Sequence, residues 1–84
     1  MTHLWPHGEV ISMTLDDAGL PGAFHWHGQT HKVQQIANRW RIDEGWWEGR
    51  VWREYFKLTT ASGWLVILYR DMTTGAWYLQ RLYD

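Results

Sequence analysis

Turn signals interrupt this chain so often that long regular elements have little room. They fall at Gly8, "DDAG" (16–19), "PG" (21–22), Gly28, "DEG" (43–45), Gly49, "ASG" (61–63) and "TTG" (73–75). Glycine, proline and aspartate break a chain because each stabilises backbone geometry that helices and strands cannot continue. Between the breaks lie β-branched and aromatic runs of about 6–12 residues, and short runs separated by turns read as antiparallel β-structure.

The clearest runs close the chain. "VWREYFKLTT" (51–60) sets Trp52, Phe56 and Leu58 against Arg53, Tyr55, Lys57 and Thr59, with only Glu54 out of place on the apolar face. That alternation is the mark of a half-buried strand. "GWLVILYRD" (63–71) is apolar on both faces and predicts a strand covered on both sides. "GAWYLQRLYD" (75–84) is the third, and the links between these runs are of hairpin length, which predicts a three-strand meander. Upstream, "EVISMTL" (9–15) and "GAFHWHG" (22–28) also read as strands, while residues 1–7 are expected to be loose. "THKVQQIANRWRID" (30–43) carries Val33, Ile36, Ala37 and Trp40 at helical spacing. A strand that contains a bulge shifts its apolar face once and fits the same pattern. The bulged strand is the favoured reading and a short helix the alternative.

With 84 residues the chain is one domain, spanning 1–84. A domain this small buries only about 60–65% of its unfolded surface. It has no cysteine, so disulfides and thiolate metal sites are excluded and stability must come from packing. Its eight tryptophans are the obvious source. Five or six strands cannot stay flat with two raw edges. They are expected to form a small, strongly curled antiparallel sheet or an open barrel, with Trp40, Trp52, Trp64 and Trp77 inside.

Eight basic and nine acidic residues give a net charge of −1, too little positive charge for a protein that grips duplex DNA by its phosphates. No apolar run approaches the length of a membrane span. The opening residues lack the basic and apolar regions of a signal peptide, so the expected location is the cytoplasm.

"HWHGQTH" places His25, His27 and His31 close together, and imidazoles at this spacing can hold zinc. The simpler reading has Phe24 and Trp26 facing the core, with His25 and His27 turned to solvent. No metal, no other cofactor and no catalytic residue is expected. Asp43, Glu44, Glu48 and Glu54 lie near tryptophans, but acids beside turns are normally solvated, and no nucleophile or phosphate-loop motif is present. What remains is "DEGWWEGRVWREYF" (43–56). Adjacent residues in an extended chain point opposite ways, so one of Trp46 and Trp47 faces outward unless it plugs the end of the barrel. Arg39, Arg41, Arg50 and Arg53 bracket the pair, and Trp and Arg are enriched where proteins bind. Such a surface suits a protein partner or the bases of single-stranded nucleic acid.

"PGAFHWHGQTHKV", "RWRIDEGWW", "REYFKLTTASG" and "LYRDMTTGAWYLQRLYD" together resemble a family of small bacterial domains of unknown function. Such domains look to occur alone or at the carboxyl end of the catalytically inactive Y-family DNA polymerase homologue of the bacterial mutasome. In those longer chains a similar tryptophan-rich "DE" element precedes a strand, a glycine turn and a closing "W…YD". Trp40, Asp43, Glu44, Trp46, Trp47, Gly63, Trp77, Tyr83 and Asp84 carry the match here. The resemblance implies an accessory module near DNA repair and translesion synthesis, rather than an enzyme. The expectation is a non-catalytic docking module with a protein partner, with weak single-strand binding as the alternative.

Overall fold

The computed structural model describes residues 2–46 and 49–83. Six strands follow in chain order: β1 (Thr2–Leu15), β2 (Pro21–Trp26), β3 (Gln29–Trp46), β4 (Gly49–Thr60), β5 (Leu65–Asp71) and β6 (Trp77–Tyr83). Among the described residues there is no helix, and so none long and apolar enough to cross a membrane. Each strand pairs antiparallel with the next, and β1 pairs with β6 as well, so the sheet closes into a ring. The curled all-β architecture and the β4–β5–β6 meander are as expected. Closure satisfies backbone groups that raw strand edges would leave unpaired.

Two long strands close the ring by each serving two neighbours. Residues 12–15 of β1 pair with β2, while residues 2–4 and 9–11 pair with β6. Residues 2–7, expected to be loose, thus lie within β1, with Thr2 opposite Tyr83. The register breaks between Leu4 and Glu9. Gly8 sits in that break with φ of 80°, and a Cβ there would lie 2.7 Å from Tyr78 Cβ. Only glycine fits the position without strain.

Residues 30–43 lie within β3, and the register shifts twice, between Val33 and Gln35 and between Ile36 and Asn38. Each bulge inserts one residue, so the inward positions run 33, 36, 39 and 41. That sequence imitates a helical face, which explains the ambiguous pattern. Val33 and Ile36 pack on the core. Trp40 does not; it lies opposite Tyr55 on the outer side.

Leu58, Val66, Leu68 and Leu79 are fully buried at the centre, with Ile11, Phe24, Phe56, Trp77 and Leu82 around them. Fully burying each such side chain contributes about 1.5–3 kcal/mol. Trp5, Trp26 and Trp64 pack against this core, Trp5 and Trp64 meeting Trp26 edge-on. Trp64 and Trp77 are therefore where the alternation places them. Trp40 and Trp52 are only half-buried and outside the core. A second aromatic layer runs along the outside of the sheet. Trp40, Tyr55, Tyr69 and Tyr78 are successive cross-strand partners with ring centroids 5.3, 5.2 and 5.0 Å apart. The Tyr69 hydroxyl donates to the His7 carbonyl at 2.7 Å, so the bulge at Gly8 seals this layer.

Candidate docking surface on the β3–β4 hairpin

The β3–β4 ladder outruns the ring. Pairing of β4 with β5 ends at Arg53 opposite Asp71, whereas β3 and β4 stay paired from Asn38 opposite Lys57 to Trp46 opposite Gly49, without another bulge. Residues 43–46 and 49–52 therefore form a two-stranded arm. At its base, the Met72 amide donates to the Trp52 carbonyl at 2.9 Å. On the far side of β3, β2 pairs only with residues 29–32. Beyond Lys32, no other strand among the described residues adjoins that edge.

The four arginines singled out in the sequence divide between two faces. Cross-strand partners point to the same side of a sheet. Arg39 and Arg41 lie opposite Phe56 and Glu54, on the inner face. Arg39 Nη2 and Arg41 Nε both donate to Glu54 Oε2, at 3.0 and 2.9 Å. Further out on the same face, Arg50 grips Asp43 with two hydrogen bonds of 3.0 and 2.8 Å, and its guanidinium lies 4.5 Å from the centre of the Trp52 ring. Arg53 is separated from the others. It lies on the outer face, 4.4 Å above the Tyr69 ring, and donates to the Tyr55 hydroxyl. The side chain of Trp46, and Trp47 altogether, lie outside the described residues.

Glu54 is 8% exposed, while the side chains of Arg39 and Arg41 are 47% and 62% exposed. Burial alone would push its carboxyl up. The hydrogen bonds and charges of Arg41 and Arg39 outweigh that, and the pKa lies below the ordinary value. Arg50 likewise lowers Asp43, chiefly by hydrogen bonding. Both carboxylates are thus held ionised. The arginines in turn keep much of their donor capacity, since a guanidinium carries five N–H groups.

The three histidines do not converge. His25 Nδ1 lies 3.2 Å from Thr30 Oγ1, and His27 Nε2 lies 3.0 Å from Glu9 Oε1. His31 is buried between Phe24 and Trp64, with centroids at 5.1 and 4.9 Å. Burial lowers its pKa most; a hydrogen bond to the Trp26 backbone and the nearby His25 act less. No group of three His, Cys, Asp or Glu among the described residues could hold a metal. An open cleft of about 560 Å³ lies beside His31, walled by Thr30, Lys32, Ser62 and Trp64.

Sequence reasoning missed Glu54 as a hub, although its place on an apolar face was the available signal. It also missed Asp43 as the partner of Arg50, a pairing that only the hairpin register reveals. The outer aromatic layer was equally hidden, because alternation does not distinguish two packed faces.

No curated protein and no solved structure matches the chain. One family model matches residues 7–84, nearly the whole length, and its description, a domain of unknown function, agrees with the resemblance carried by the tryptophan-rich motifs. The chain belongs to that family, DUF6504.

Proposed function

We propose that this chain is a non-catalytic docking module that offers the β3–β4 arm to a protein partner, with the closed ring as its scaffold. The observation that carries this reading is the arm itself. A ladder that extends past its neighbours gains no packing from them, yet it sets exposed Asp43 and Arg50 beside a half-buried Trp52 on one face. Tryptophan and arginine are among the side chains most enriched at binding hot spots. Asp43 and Glu54, both lowered, are held as anions by their arginines and so are not poised as general acids near neutral pH.

The resemblance to the carboxyl-terminal part of the inactive Y-family polymerase homologue suggests the setting, a cytoplasmic DNA repair or translesion polymerase assembly. Calorimetry of the chain with that purified homologue tests it. The expected result is a complex with Kd on the order of 1 μM that weakens when Trp46 and Trp47 are both replaced by alanine. No heat at any accessible concentration contradicts it. A second reading, weak single-strand binding, draws on the Arg50–Trp52 stack at the edge of the arm. Salt-sensitive quenching of tryptophan fluorescence by an oligonucleotide would favour that reading.

A further inference from the structure

The edge of β3 that faces away from β4 is long, regular and charged. Two bulges disrupt it as far as Asn38, and bulges are a common guard against unwanted strand pairing. From Asn38 to Trp46 the ladder with β4 is unbroken, and residues 37–39, 41 and 43–45 are exposed. An unpaired edge offers a row of backbone N–H and C=O groups to an incoming strand. Its side chains supply the selectivity. Arg39 and Arg41 share one face at a spacing of two residues, and each gives Glu54 one hydrogen bond.

The spacing specifies the guest. Arg39 and Arg41 stand about 7 Å apart along the strand, the interval between residues i and i+2 of any extended peptide. A carboxylate on each of those guest residues would meet a guanidinium in a favourable cross-strand pair. Antiparallel pairing with a second copy about Trp40 sets Arg39 against Arg41, and like charges directly opposite repel; pairing about Ile42 sets Arg41 against Asp43, which Arg50 already holds with two hydrogen bonds.

We propose that the free edge of β3 over residues 38–45 accepts an extended acidic segment of a protein partner as an added strand, its alternate carboxylates seated against Arg39 and Arg41. This rests on the docking reading and names the partner's chemistry. It requires no covalent step and leaves the Glu54 contacts in place.

A capped valine-rich peptide of about eight residues, with glutamate only at the two alternate positions that face Arg39 and Arg41 and none opposite Asp43, is the direct probe, followed by amide NMR on the unmodified protein. Slowed exchange and shifted resonances confined to residues 38–45 are expected. A valine–lysine counterpart should bind at least about tenfold more weakly, because its charges oppose the arginines. A version with a central proline keeps the charges but cannot complete the ladder, and it should lose binding. Arg41→Gln should weaken the glutamate peptide about tenfold; the peptide series tests the same point with no change to the protein. Equal binding of the proline version, equal binding of the lysine version, or no protected amides would each overturn the proposal. So would preferential binding of a short thymidine oligonucleotide at the same residues. If the polymerase homologue binds while no acidic strand does, the inference fails and the docking reading stands; the reverse result removes only that partner.

Discussion

Trp77 and Trp52 occupy the same inner face of one sheet, yet they meet opposite surroundings. Trp77 lies in the ring, 9% exposed, against Phe56 with the Arg70 guanidinium 5.7 Å away. Trp52 lies on the arm, half-buried, its main cover the guanidinium of Arg50. In the ring, side chains from β4 and β5 and the paired strand β1 close over the indole. On the arm a single hairpin covers Trp52, with a guanidinium stacked on it. The lesson is that pairing length, rather than side-chain type, separates scaffold from contact surface here. β4 stops having a second neighbour at Arg53, and from that residue outward the same face ceases to be a core.

The contrast is most easily broken by truncation of each ring. Trp77→Ala should cost about 3–5 kcal/mol, close to the whole stability of so small a domain. Trp52→Ala should cost only about 1 kcal/mol. Urea denaturation of both variants reads the difference, and equal losses would mean that the arm belongs to the core. Gly8→Ala comes next, at about 1–3 kcal/mol, because it strains a positive-φ residue and pushes on Tyr78. A variant as stable as the parent in the same assay would show that the outer aromatic layer is not sealed by β1.

Acid sharpens the comparison, since a buried group that titrates in this range lies in the ring and another at the root of the arm. The ring holds His31 neutral, with a pKa lowered from 6.5. As pH falls below about 6.5 the unfolded chain takes up a proton that the fold still refuses, so stability drops until the lower folded pKa is reached. At the root of the arm, Glu54 is lowered from 4.5. Its contribution is full above about 4.5 and is lost as pH falls through the folded value. Urea midpoints across this range should therefore decline in two stages. His31→Phe should remove the upper stage and Glu54→Gln the lower; a single decline unaffected by either variant would refute the assignment. The smallest effect belongs to Arg50→Ala. Its ion pair with Asp43 lies at the surface, the side chains 54% and 51% exposed, so the unfolding midpoint should barely move, while the fluorescence of the uncovered Trp52 should change.

Much of the scaffold was legible in the sequence. The three closing strands announce themselves because alternation, hairpin-length links and glycine turns agree with one another. The bulged strand β3 was legible as the favoured of two readings, since two inserted residues give a period between those of helix and strand. Trp40 and Trp52 were misplaced for a single reason. Alternation reports which residues share a face, and it is silent on whether that face is inside the ring, outside it under a second aromatic layer, or beyond it on an arm. The same limit joined Arg53 to Arg39, Arg41 and Arg50, although the register turns it to the opposite side. Glu54 carried a signal that went unread. A carboxylate on an apolar face demands partners, and its partners proved to be two of the arginines already singled out.

Amide hydrogen exchange of the free protein tests the division most directly. Amides at the centre of the ring, in residues 55–58 and 66–69, should exchange only through global unfolding, while those in residues 43–46 and 49–52 should exchange through local opening, faster by on the order of a thousandfold. Uniform protection along β3 and β4 would contradict the account, because it would make the arm one cooperative unit with the ring and remove the ground for treating it as a separate element of recognition.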